Sequence, residues 1–316
     1  MRWIGVLLVI TLGLSFQRAE AQSARAMLMS VSYAGVEMRH VNTEAWLPLT
    51  AGAQLPITEG DAIRTRDGAR ARIALLDAGE VLLLPFTTLE IDTLAGDDTG
   101  QIDLQLRMNG VLVFDVQAPE RFSRFSLLAD ALTVDRPASR FAVRAIANVP
   151  PSLIVADGEA FGRVGDESVT VEAGYGWRAD HAPLPIDAPA NFARLDAMLD
   201  GCPGVVDTIE DVDLRVRVGA TTLYYPLGAF PEGSPVTLLG ITEDRRYFRV
   251  QYLSAYGWVE RLAVDTECAN LPIYPNESVE VILRLPLPQP EEIALLTPFY
   301  GQPQDDPWFY NLFPLR

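Results

Sequence analysis

From residue 31 to residue 179, short apolar runs alternate with turn residues. Residues 70–76 (RARIALL) and 80–85 (EVLLLP) flank Asp77-Ala78-Gly79, the composition of a hairpin turn. Residues 102–107 (IDLQLR) place Ile102, Leu104 and Leu106 on one face. Residues 110–116 (GVLVFDV) set Val111, Val113 and Asp115 against Leu112, Phe114 and Val116. Residues 125–128, 132–134, 141–145, 152–155, 159–164 and 168–172 continue the theme, each bracketed by Gly, Asp, Asn or Pro. Gly60-Asp61 fits a tight turn whose carboxylate can accept from nearby backbone amides. No long stretch here keeps a helical period, so the pattern predicts an all-β domain, a sandwich or an irregular barrel.

The pattern then changes. Pro183, Pro185 and Pro189 mark a linker, and residues 191–200 read as a helix. Asn191 caps it, Phe192, Leu195 and Leu199 form its apolar stripe, and Gly201 stops it. A second β block follows from about 212 to 264. Residues 279–285 offer one more strand. Beyond them Pro286, Pro288, Pro290, Pro298, Pro303, Pro307 and Pro314 argue against regular structure.

Composition narrows the function. The 316 residues carry 25 basic and 42 acidic side chains, a formal charge of −17, and every basic residue is Arg. Such a balance repels polyanions and excludes nucleic acid as an expected partner. Residues 1–21 read as a secretory signal: Arg2, an apolar run over 6–16, and Ala19-Glu20-Ala21 before a cut at Gln22. The alternative is an uncleaved anchor, for which the run is short of the ~20 residues a membrane helix needs. The expected location is therefore extracytoplasmic, secreted, periplasmic or at the cell surface, with no membrane span after cleavage. Cys202 and Cys268, the sole cysteines, bracket the second β block and are expected to form a disulfide there. A loop of that length is worth about 4 kcal/mol in the chain-entropy account.

Two family resemblances follow from motif order. Ala45-Trp46-Leu47-Pro48-Leu49 with Gly52, then Glu59-Gly60-Asp61-Ala62-Ile63-Arg64-Thr65, then Asp77, Gly79 and Val81, then Gly110-Val111-Leu112-Val113-Phe114 resemble the FecR domain in sequence order. Phe141-Ala142-Val143, Ala156-Asp157-Gly158-Glu159 and Glu172-Ala173-Gly174 extend the likeness over about 31–179. Over about 214–264 the chain is similar to a bacterial SH3-like domain, through residues 233–240 (GSPVTLLG), Phe248-Arg249-Val250 and Tyr256-Gly257-Trp258-Val259. The implied architecture is mainly β: a FecR-like β-sandwich or irregular barrel, a short helix, and a small SH3-like β-barrel. The implied boundaries are a signal peptide at 1–21, the FecR-like domain at 22–180, the linker with its helix at 181–205, the SH3-like domain at 206–270 and a Pro- and aromatic-rich extension at 271–316. The FecR likeness brings no catalytic residues.

No catalytic signature stands out. No G-x-S-x-G elbow surrounds a serine, and two His with two Cys make a poor metal set, so no enzyme activity, metal or cofactor is expected. Tyr224, Tyr225, Tyr247, Tyr256 and Trp258 crowd the second β block. They are the candidate ligand-binding residues, with the core of a small domain as their competing use. Trp308, Phe309, Tyr310 and Phe313 dock on a partner or fold back on their own domain. The expected function is an exported, non-enzymatic binding or scaffolding protein of the bacterial cell envelope. Its partner would be an envelope glycan, peptide or protein. The alternative is a membrane-anchored, FecR-type periplasmic regulator that relays a signal.

Overall fold

The apolar patterns at 102–107 and 110–116 belong to one strand, Ile102–Val116, and this strand organises the first domain. The computed structural model describes residues 26–32, 35–75, 78–97, 99–209, 212–280 and 289–301. The signal segment, most of the strand expected at 279–285, and the aromatic run at 308–313 lie outside the described residues.

Seventeen described strands form one hydrogen-bonded sheet that folds over into two layers. Residues 102–109 belong to the first layer, between Thr88–Gly96 and Phe122–Ala129. Residues 110–116 belong to the second, between Gly79–Leu83 and Arg140–Ile146. The crossing point is Gly110, with φ at 115°. A Cβ there would stand 2.5 Å from the Thr87 Cα, so both the backbone angle and the space require glycine.

The first layer continues outward through Leu132–Arg136, Glu159–Val164 and Glu167–Glu172 on one side. On the other it runs through Ala62–Thr65, Val36–Arg39 and Leu47–Pro48. The second layer runs through Arg70–Leu75 and Ala26–Ser32 on one side. On the other it runs through Val149–Asp157, Tyr175–Arg178 and Leu184–Pro185. Their inner faces share one core. Phe114 and Phe141 stack at 4.4 Å, and Phe125 from the opposite layer meets them edge-on at 6.2 and 6.3 Å.

Burial explains why the alternation in Ile102–Val116 fades after Gly110. The first layer leaves its outer face to water, so residues 102–109 alternate. The second layer is covered on both faces. Leu112, Phe114 and Val116 point into the sandwich. Val111 and Val113 point outward and are buried under two helices.

These helices are α1 (Phe192–Asp200) and α2 (Pro290–Tyr300). The helix read at 191–200 forms with Asn191 as its cap, its side-chain oxygen accepting from the Arg194 amide at 2.9 Å. The expectation that prolines abolish structure near the C-terminus is corrected by α2. Pro290 sits in its first turn, where its missing N–H costs nothing. Glu292 closes a capping box with Gln289, and Pro298 falls only in the last turn. Leu295, Leu296 and Phe299 then bury against the outer face of the second layer. Arg70 from that face meets Glu292 at 2.9 Å, with both side chains essentially out of water.

A separate sheet of eight strands packs beside the two layers and is called the third sheet below, the layers counting as the first two. Its path runs Pro226–Phe230, Leu214–Arg217, Ala255–Glu260, Tyr247–Tyr252, Pro235–Thr242, Cys202–Val206 and Val264–Asp265, with Ile273–Tyr274 added to Pro235–Thr242. No pairing among the described strands joins its two ends, so where a small SH3-like β-barrel was expected the sheet is open. The end strands are poor partners for closure: one opens on Pro226, which has no N–H to donate, and the other spans two residues. The disulfide forms as expected, joining Cys202 to Cys268 across 66 positions.

Candidate functional site

The second layer and the third sheet face each other across α1, and a cleft of about 810 Å³ lies between them. The floor starts from a register row. Arg144 is opposite Ser152, and Ser152 is opposite Arg178. All three lie on the outer face, where an apolar strand would place residues for a covering element. That element is α1. Asp196 and Asp200, one helical turn apart, present their carboxylates to this row.

The pairing is dense. Arg144 donates to both oxygens of Asp196 at 2.7 and 2.8 Å, to Ser152 Oγ at 3.1 Å and to the Tyr256 hydroxyl at 3.0 Å. That hydroxyl donates in turn to Asp196 at 2.5 Å. Tyr256 comes from the third sheet, so one carboxylate on α1 ties both sheets together. Arg178 donates to Asp180 at 2.7 and 3.0 Å and to both oxygens of Asp200. On the opposite wall Arg249 is held by Glu280 at 2.7 and 2.9 Å. Its guanidinium lies 3.8 Å above the Tyr256 ring and 5.2 Å from that of Tyr274.

The electrostatics follow from this geometry. Burial works to raise the Asp196 pKa, but the hydrogen bonds and charge of Arg144 outweigh it and hold the carboxyl below its usual range. Burial opposes ionisation of Asp180 too. The bonds from Arg178 and His181 nonetheless bring it to about 2. Tyr256 is pushed far up by burial and by the Asp196 charge, so it stays a neutral donor. Tyr300, the last residue of α2 and part of the cleft wall, is raised to about 12 by burial.

One donor behind the cleft floor is unspent. The Arg144 side chain is 7% exposed, and its Nε has no hydrogen-bond partner among the described residues. Around it the lining is mixed: Phe192, Tyr256, Tyr274 and Tyr300 supply rings, and Asn148 and Asn270 supply amides.

The five aromatic candidates do not gather. Tyr256 lines the cleft. Trp258 lies on the same sheet face as Arg249 but is fully buried, with Tyr274 edge-on at 5.7 Å. Tyr224 packs against Gly219 in the loop before Pro226–Phe230, and Tyr225 beside it is 74% exposed. Tyr247 is half-buried, and burial with the Glu260 charge raises its pKa. The residues that build the cleft, Arg144, Arg178, Asp196, Asp200, Arg249 and Glu280, were not singled out from sequence. Two signals were present. Arg144 interrupts an apolar run at a position facing Ala142's side of the strand, and Asp196 and Asp200 stand four apart beside the apolar stripe of α1.

Among the described residues, no His, Cys, Asp and Glu group has metal-binding geometry. Asp97 closes its own turn, accepting from the Thr99 and Gln101 amides at 2.9 Å. No described helix is long and apolar enough to cross a membrane.

No protein-family model matches the chain, and no curated protein matches it. Two crystal structures of a "putative anti-sigma factor" from Parabacteroides distasonis resemble it at a TM-score of 0.35, with 19% and 18% identity. Each likeness covers 46% of this chain and 67% of the other. A superposition this loose fixes neither fold nor function for this chain.

Proposed function

We propose that this chain is an exported, non-enzymatic binding protein of the bacterial cell envelope, and that its ligand sits in the cleft between the second layer and the third sheet. The observation that supports this is the cleft itself. Its volume of about 810 Å³ suits a single small ligand or a short peptide stretch. Its floor holds a buried guanidinium fixed by Asp196, Ser152 and Tyr256, a rigid base for a ligand. The charged groups in the lining are already paired with one another. Affinity would therefore come from ring and apolar contact, with a few polar groups fixing orientation.

The test is retention of the mature protein on purified cell-wall and membrane fractions of its native bacterium. Wild type should be retained, and Asn270→Trp, which fills the exposed rim of the cleft, should lose at least fivefold. Equal retention of the two, or none of either, overturns the reading.

A second reading, the anchored FecR-type relay, is favoured by the Asp196 contact. A ligand that displaced Tyr256 or Arg144 would move α1 relative to both sheets, which is the coupling a relay needs. The two readings differ at the N-terminus. Sequencing of the native protein should begin at Gln22 for a free binding protein and retain residues 1–21 for an anchored one.

A further inference from the structure

The last residue of α2 is part of the cleft. Tyr300 lines its wall, and Gly301, with φ at 78°, turns the chain out of the helix at that point. This exit is fixed in space. Leu295, Leu296 and Phe299 bury α2 in the outer core of the second layer, and Arg70 pins Glu292 at 2.9 Å. Residues 302–316 follow, outside the described residues. Within them Trp308, Phe309, Tyr310 and Phe313 place four aromatic side chains in six positions.

We propose that this segment is an occupant of the cleft, a tethered competitor that an external ligand must displace. The inference rests on the cleft being the binding site. Geometry allows it: Gly301 and Trp308 are seven residues apart, a span of up to ~23 Å at about 3.3 Å per extended residue. Chemistry favours it. The cleft offers Phe192, Tyr256, Tyr274 and Tyr300 as ring surface, while its Arg144, Arg178 and Arg249 charges are matched internally by Asp196, Asp200 and Glu280. An occupant recruited by rings rather than by charge fits that balance, and Trp and Tyr are the side chains that most often anchor such contacts. Tethering does the rest, since a short linker raises the local concentration of the segment to about millimolar. The cleft holds only a short stretch, so the segment from Trp308 to Phe313 is the occupant.

The experiment uses the mature full chain with Trp308→p-benzoylphenylalanine, irradiated and mapped by mass spectrometry. The expected result is intramolecular cross-links to peptides carrying residues 146–150, 254–256 or 270–274, reduced at least fivefold by Asn270→Trp. Cross-links only elsewhere, only between molecules, or none at all overturn the proposal. A second measurement titrates a synthetic 302–316 peptide into a full chain carrying Trp308→Ala, Phe309→Ala and Tyr310→Ala. One-to-one binding, with wild type at least tenfold weaker because its own segment competes, supports the proposal; no binding to the variant overturns it. Retention on envelope fractions without these cross-links would sink the tethered competitor and leave the cleft as a ligand site. Cross-links without retention would place the segment in the cleft but overturn both the envelope-ligand reading and the segment's role as a competitor.

Discussion

Arg70 and Arg144 lie on the same outer face of the same β layer, and each is paired with a carboxylate from a helix. Around Arg70 the helix is α2 and the seal is complete: its side chain and that of Glu292 are 0% and 1% exposed. Around Arg144 the helix is α1, and the pair opens on a cleft shared with Tyr256 of the third sheet. The first pair joins one strand to one helix, with Glu292 Oε1 buried and without a hydrogen-bond partner among the described residues. The second joins three elements and leaves one donor unspent. A buried ion pair is weak evidence of stabilisation, because desolvation offsets most of the attraction. Its value must then be sought in what it positions. Arg70 positions a helix, and Arg144 positions a junction.

That contrast is tested most severely at Glu292. Glu292→Ala leaves the Arg70 guanidinium buried without its carboxylate and should cost about 3–5 kcal/mol of stability. Urea unfolding followed by circular dichroism reads it. The double change Arg70→Met with Glu292→Leu should recover most of that loss, since apolar replacement of a buried pair is often neutral or stabilising. No recovery would mean that the ion pair does more than hold α2 down.

At the junction the costs should be smaller. Asp196→Asn keeps the shape but removes the charge facing Arg144. Water entering from the cleft can partly replace it, so a loss of about 2 kcal/mol is expected, below that of Glu292→Ala. Tyr256→Phe removes one hydroxyl that donates to Asp196 and accepts from Arg144, and should cost about 1–2 kcal/mol. A Tyr256→Phe loss equal to that of Glu292→Ala would erase the distinction between sealed and open pairs.

Much of the fold was legible because the sandwich obeys period two. The strand pair around Asp77-Ala78-Gly79 and the alternation at 102–107 could be read directly. So could the turn at Asp61, whose carboxylate accepts from the Val41 and Thr58 amides at 3.1 and 2.9 Å. The helix at 191–200 was legible down to its cap. Gly201 ends that helix for a reason the pattern cannot show: its φ is an ordinary −68°, but a Cβ would stand 2.1 Å from the Ala197 carbonyl oxygen. The second helix was missed because proline count was weighed without position: Pro290 opens the helix, where its missing N–H costs nothing, and Pro298 comes so late that it interrupts only the last turn. The cleft was missed for a deeper reason. Arg144 meets Asp196 and Tyr256, 52 and 112 positions away, and only the packing of α1 and the third sheet on the second layer brings them together.

The finest discrimination comes from acid. The pKa values of Asp180 and Asp196 are depressed in the folded chain, so their contribution is fully present above the unfolded value of about 3.9 and is lost as pH falls through the folded values. Between pH 7 and pH 5 these two groups should leave the urea midpoint unchanged, and below about pH 4 they should lower it. Carboxyl NMR titration resolves Asp180 by itself. It should titrate near 2 in the wild type and move toward the ordinary range in Arg178→Gln, with the remaining depression supplied by His181 at 3.0 Å. Asp196 should barely respond to that change, because Arg144 at 2.7 Å dominates it and Arg178 stands 3.7 Å away. If Asp196 moved as far as Asp180, the two arginines of the junction would be acting as one charge, and the division between a floor held by Arg144 and a flank held by Arg178 would fail.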